Sequence, residues 1–132
     1  MRREEDHILA ASLPHPANPS DPHLPRLYVD VLPDTGAWSA NYINEATTEW
    51  LRSVGIKRED CKTSVCSGIG TSQQFCVPCG GTYTFLITIY NDLLENDETL
   101  SITANEIPSV YAVLLGRKTI KQHNISGGFR FI

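Results

Sequence analysis

An excess of positive charge, long apolar runs and internal repeats are all absent from this sequence. Its 132 residues carry 11 Lys and Arg against 15 Asp and Glu, for a formal net charge of −4. Without a basic field, direct binding to nucleic acid is not expected. No apolar run approaches the length that spans a membrane, so no membrane partner is expected either. Because the chain is short and lacks repeats, we predict one folded domain.

Cysteine is also scarce, with four residues at positions 61, 66, 76 and 79. The residues before Ile8 are rich in acidic side chains and lead into only a short apolar run, which does not fit an export signal. We therefore expect an intracellular, cytoplasmic protein. In such a reducing compartment the cysteines need not form disulfides.

Proline is concentrated rather than spread evenly, and most of the eight prolines lie within residues 12–25. Proline fixes φ and removes the amide donor, so this stretch predicts an extended tether that belongs to neither a sheet nor a helix. We accordingly divide the chain into a flexible leader over residues 1–25 and a folded domain over residues 26–132.

The folded domain is predicted to be mainly β, with one or two short helices. Asn44 is a suitable N-cap and Gly55 a suitable C′ residue for a helix over 44–54, and a second short helix is predicted over 117–123. β-Branched, aromatic or continuously apolar runs predict strands over residues 27–32, 82–90, 100–107, 110–115 and 129–132.

The first predicted strand leads into Asp34-Thr35-Gly36-Ala37, the most informative run in the chain. The three residue types suit acid–base chemistry on a peptide. The Asp carries the proton chemistry, the Thr hydroxyl stiffens a tight loop, and the Gly lets a substrate backbone approach closely. The tripeptide by itself also fits an ordinary turn, since Asp and Gly both favour turns.

Further motifs follow in a defined order. A Gly-rich run, Ser67-Gly68-Ile69-Gly70, lies in the middle of the sequence, and Leu114-Leu115-Gly116-Arg117 precedes the second predicted helix. With this order of motifs, residues 26–132 resemble the retroviral-type (retropepsin-like) aspartic proteases, especially those encoded by retrotransposon polyproteins.

The resemblance implies a small closed β-barrel that is active as a symmetric homodimer, with one Asp34 from each copy at the two-fold axis. It implies catalysis by Asp34, Thr35 and Gly36, and substrate binding by Ala37, Gly68, Ile69 and Gly70. It further implies that Leu115, Gly116 and Arg117 support the site and the dimer, and that residues 129–132 pair between the two copies.

The function implied is that of an aspartic endopeptidase without a cofactor, which cuts extended peptide segments and processes a retrotransposon polyprotein. Such a protein would act in the cytoplasm or within retrotransposon particles. The alternative is a catalytically inactive module of the same fold that dimerises or binds peptides. Leu32 to Gly36 also fit the signal read by sortases, but that signal belongs near a C-terminus and before a membrane segment, so we reject it.

The four cysteines leave several interpretations open. Their spacing is C-x4-C-x9-C-x2-C, and only Cys76 and Cys79 have a spacing typical of zinc sites, so all four cysteines are weak metal candidates. The favoured interpretation is that they are small buried apolar residues. However, a hairpin centred near Gly70 would place Cys61 opposite Cys79 and Cys66 opposite Cys76. These pairs could then clip the hairpin under oxidation or bind a metal at its base.

Overall fold

Strands dominate the computed structural model, which describes residues 8–33, 40–61, 65–67, 75–77, 79–91, 96–123 and 125. The predicted strand over 129–132 lies outside these residues. The strands are β1 (Leu9–Leu13), β2 (Leu27–Pro33), β3 (Asn41–Ile43), β4 (Val65–Ser67), β5 (Phe75–Val77), β6 (Thr82–Asn91), β7 (Asn96–Glu106) and β8 (Val113–Leu115). The helices are α1 (Glu45–Ser53) and α2 (Arg117–Gln122).

Six of these strands close into a barrel in the order β1-β2-β8-β3-β7-β6, and β1 pairs with β6 to complete the circle. Two pairings, β2 with β8 and β3 with β7, are parallel, while the others are antiparallel. β4 and β5 form a separate two-stranded sheet. The prediction of a mainly β protein with a small closed barrel and two short helices is therefore confirmed.

The barrel interior is filled by alternate residues of the long hairpin formed by β6 and β7. Tyr83, Phe85, Ile87 and Ile89 are buried, while the residues between them face outward or are covered by a loop. This alternation is what a sheet with one face on a core requires. β7, the other barrel strands, both helices and Ile125 contribute the rest of the apolar core: Leu9, Ala11, Leu13, Val31, Ile43, Leu51, Leu100, Ile102, Ala104, Val113, Leu115, Ile120 and Ile125.

The first helix follows its sequence signals closely. Asn44 is the N-cap, and its side-chain oxygen accepts a hydrogen bond from the Thr47 amide at 3.0 Å. Gly55 follows the helix with a φ of 94°, in the left-handed region that glycine adopts without strain. The second helix also forms as predicted. Within the part of the chain that the structure describes, neither helix is long and apolar enough to cross a membrane.

The prediction that folding begins near Arg26 is wrong, because β1 lies inside the predicted leader. Leu9 to Leu13 pair in register with Val31 to Leu27 of β2, and Ala11 and Ser12 also pair with β6. Leu13 is completely buried. This short strand has weak local signals, and burial between two neighbouring strands decides its conformation.

The proline-rich segment that follows β1 is a turn-rich connection rather than a free tether. Arg26 fastens it to the barrel: Nε donates to Ser12 Oγ at 3.0 Å and Nη2 donates to Thr88 Oγ1 at 3.0 Å. Its Nη1 also donates to the Pro19 carbonyl at 3.4 Å. Prolines without amide donors suit this loop, since it runs outside the sheet and needs no ladder hydrogen bonds.

β8 is shorter than the predicted strand over residues 110–115. Val110 is 91% exposed, and the regular strand begins only at Val113. The Ala112 carbonyl accepts hydrogen bonds from the Asn44 amide at 3.2 Å and from Thr47 Oγ1 at 3.1 Å. The start of α1 thus takes the place of a strand partner at this position.

We predict that Leu13→Ala lowers the free energy of unfolding by about 3 kcal/mol, because it removes a fully buried side chain and leaves a cavity. Leu24→Ala is the matched control, since Leu24 is only partly buried in the same segment. Chemical denaturation of both variants measures the difference. Equal, small effects would contradict the assignment of β1 to the barrel core.

Candidate functional site

The predicted site residues divide into two groups in the structure. Asp34, Thr35, Gly36 and Ala37, and likewise residues 68–70, lie outside the described residues. The three supporting residues, Leu115, Gly116 and Arg117, are described. The structure therefore defines the strands that flank the Asp-Thr-Gly motif and the base of the segment that carries the Gly-rich run.

The strands on either side of the motif are separated by an inserted strand. β2 ends at Pro33, directly before Asp34, and β3 begins at Asn41, yet the two do not pair with each other. Instead β8 lies between them, parallel to β2 and antiparallel to β3. Pro33 is paired in register with Leu115. The end of β2, the end of β8 and the start of β3 therefore meet at one edge of the barrel.

Asn41 holds this edge together through its side-chain amide. It is 6% exposed, and its Oδ1 accepts a buried hydrogen bond from the Gly116 amide at 2.8 Å. Its Nδ2 donates to the Thr103 carbonyl at 3.0 Å. One side chain thus joins the junction of β8 and α2 to β7. Sequence reasoning missed Asn41, although an amide two residues before the apolar Ile43 was a signal of an inward-facing polar group.

Gly116 is buried and is the N-cap of α2, with no side chain to cap the helix. Both of its backbone polar groups are bonded, because its amide donates to Asn41 and its carbonyl accepts from the Ile120 amide at 3.0 Å. Leu115 before it is fully buried. Arg117 is exposed at the first position of the helix. The junction is thus held by the Asn41 side chain, by a backbone hydrogen bond of the helix and by apolar packing.

A second feature is the arm, by which we mean residues 61–79 with β4 and β5. Its base joins the barrel through two hydrogen bonds of 2.8 Å between the backbones of Glu59 and Thr82. Gly80 and Gly81 next to it exchange backbone hydrogen bonds of 2.9 Å with Glu106, at the end of β7. Arg58 Nε adds a hydrogen bond of 2.7 Å to the Gly80 carbonyl. The arm therefore starts from a firmly bonded base.

β4 and β5 of the arm are antiparallel and bring cysteines to matched positions, as the interpretation of this segment as a hairpin implied. Cys61 and Cys79 form a disulfide, with their Cα atoms 6.3 Å apart. Cys66 of β4 is paired in register with Cys76 of β5. For Cys61 and Cys79 the favoured interpretation as reduced apolar residues is wrong, and the alternative of an oxidised clip is correct. Disulfide sulfurs are not free thiolate ligands, and the described residues contain no cluster suited to a metal ion.

One row of register-paired residues connects the barrel edge that flanks the motif with the base of the arm. Beginning two residues before Asp34 and ending at the base of the arm, it comprises Leu32, Leu114, Tyr42, Asn105, Thr82 and Glu59. Thr82 Oγ1 also donates to Asn105 Oδ1 at 2.7 Å, which adds a side-chain bond within the row. The edge that flanks the motif and the base of the arm thus belong to one continuous sheet.

Comparison with known proteins adds no assignment: no protein-family model matches the chain, and no curated protein sequence matches it significantly.

We predict that Asn41→Ala lowers the free energy of unfolding by about 3 kcal/mol, because it leaves the buried Gly116 amide without its partner and also removes the bond to the Thr103 carbonyl. Asn18→Ala is the control, since Asn18 is exposed and its side chain accepts a local bond from the Ser20 amide. Urea denaturation of the two variants tests this. A loss no greater than in the control would show that the Asn41 amide does not hold the edge.

We also predict that Cys61→Ala/Cys79→Ala destabilises the protein by about 3 kcal/mol, because the disulfide restricts a loop of moderate length in the unfolded chain. Reduction of the wild type should shift the denaturation midpoint in the same direction. In the double variant, a reductant should cause a clearly smaller shift than in the wild type. A double variant as stable as the oxidised wild type would contradict this.

Proposed function

We infer that this chain is an aspartic endopeptidase of the retropepsin-like type, active as a homodimer with one Asp34 from each copy. The observation that carries the proposal is the insertion of β8 between β2 and β3. β2 leads directly into Asp34-Thr35-Gly36, and β8 leads directly into Gly116. Pro33 and Leu115, far apart in sequence, are therefore paired at one barrel edge, and this supports a site that combines the segment after β2 with Gly116.

The chemistry explains why two copies are needed. A single carboxylate cannot both take a proton from water and donate one to the substrate in the same step. Two carboxylates at close range cannot both ionise cheaply, so the pair shares one proton. The ionised Asp34 takes a proton from a bound water, which attacks the scissile carbonyl carbon. The protonated Asp34 of the other copy donates its hydrogen bond to the oxygen on which negative charge develops.

The remaining assignments follow the resemblance. Gly36 accepts the substrate backbone and Ala37 lines a pocket wall. Gly68, Ile69 and Gly70 of the arm cover the extended peptide substrate. Asn41 is a positioning residue in this proposal, because it holds Gly116 at the edge that flanks the motif. A polyprotein is a suitable substrate, since its linkers are extended and accessible.

We predict that Asp34→Asn lowers kcat/KM for peptide cleavage by at least about a thousandfold, because an amide cannot exchange the proton. Asp30→Asn is the matched control, as it makes the same change at an exposed position of β2. Wild type and both variants are compared at equal dimer content on a peptide library from acidic to neutral pH. Activity should fall in alkaline solution, where the shared proton is lost.

A mixed dimer separates this mechanism from its rivals. Copies with and without Asp34→Asn, carrying different affinity tags, are co-expressed and the mixed dimer is purified. If both carboxylates form one site, its activity should be close to zero rather than half of the wild-type value. A dimeric wild type that cuts no peptide would instead favour the non-catalytic binding module, and cleavage that survives Asp34→Asn would exclude the proposed dyad.

A further inference from the structure

We propose that the arm contains a second oxidisable cysteine pair, Cys66 and Cys76, which forms a disulfide nested inside the one between Cys61 and Cys79. The oxidised arm then has two cross-links, one at its base and one between β4 and β5. This proposal concerns the thiol chemistry of the arm and holds whether or not the chain is a peptidase.

The register of the arm is the first support. Cys66 and Cys76 are direct partners on antiparallel strands. Directly opposed residues on such strands have Cα atoms about 4.5 to 5.5 Å apart, and disulfides span about 4.4 to 6.8 Å between Cα atoms. The backbone of β4 and β5 therefore meets the distance requirement for a disulfide without rearrangement.

The disulfide at the base is the second, independent support. Cys61 and Cys79 are bonded to each other, so they do not compete for Cys66 or Cys76. The bond also holds the two ends of the arm together, which raises the effective concentration of one inner cysteine near the other. Formation of the outer bond thus favours the inner one.

The step is thiol–disulfide exchange with a small disulfide oxidant, for which glutathione disulfide is the probe. The thiolate of one inner cysteine attacks the glutathione disulfide and releases one glutathione thiolate, leaving a mixed disulfide. The second inner thiolate displaces the remaining glutathione. Two cysteine thiols lose two protons and two electrons in total, and one glutathione disulfide becomes two glutathione molecules.

The consequence is a change in the dynamics of the arm. β4 and β5 are three residues each and pair only with each other among the described strands. A two-stranded ribbon of this size has little stability of its own. A covalent bond between paired residues prevents the strands from separating, so their amides should exchange with solvent more slowly.

The test counts thiols in a variant that retains only the inner pair, Cys61→Ser/Cys79→Ser. After equilibration with glutathione disulfide, alkylation and intact mass should find no free thiol, and reduction should restore two. Amides of β4 and β5 should exchange about tenfold more slowly in the oxidised form of this variant than in its reduced form. The matched control, Cys66→Ser/Cys76→Ser, should show no such protection of β4 when its outer pair is oxidised.

The wild type provides a second measurement in case the variant folds poorly. Cleavage after Lys62 and after Phe75 gives three peptides, one with Cys61, one with Cys66 and one with both Cys76 and Cys79. In oxidised protein the Cys66 peptide should remain linked to the peptide with Cys76 and Cys79 until a reductant is added. Four results would each overturn the proposal. They are alkylation of both inner cysteines under oxidising conditions, a persistent mixed disulfide, a bond from Cys66 to Cys61, and a full equivalent of zinc on the reduced arm.

Discussion

Insertion of β8 between β2 and β3 is the constraint on which the rest of the structure depends. A strand of three residues has few ladder hydrogen bonds, so its position relies on partners on both sides and at both ends. At its start the Ala112 carbonyl is held by α1, and at its end the Gly116 amide is held by Asn41. Burial of the apolar side chains of Val113 and Leu115 also holds β8 in place.

Barrel closure depends equally on β1, which is first in the sheet order and pairs with the last strand, β6, to complete the circle. β1 lies between β2 and β6, and without it both would present unpaired edges to solvent. Arg26 reinforces this closure because its guanidinium bonds to a side chain on β1 and to one on β6. Ser12 Oγ also lies 2.9 Å from the Tyr90 hydroxyl, which extends the polar contacts between these two strands.

The arm differs physically from the barrel that supports it. The barrel is stabilised by a shared apolar core, whereas the arm is joined to it by backbone bonds at Glu59 and Thr82 and is cross-linked by Cys61 and Cys79. A disulfide acts mainly by limiting the unfolded chain, so it stabilises the base of the arm without needing apolar burial there. In the proposed peptidase, this arm is the part that covers substrate, while the barrel edge carries the catalytic carboxylate.

The sequence alone determined the elements whose signals are local. Capping by Asn44, Gly55 as the C′ residue and the strand β6 were all readable, and a hairpin around Gly70 implied the matched cysteines, because each depends on near neighbours or on hairpin symmetry. The motif order also led to the proposed catalytic residues. Only the tertiary structure decided that Leu9–Leu13 is a barrel strand, that Arg26 fastens the proline-rich loop and that Asn41 bonds to Gly116. These features depend on contacts between distant residues, and short polar or weakly patterned segments carry no local signal of the partner that will bury them.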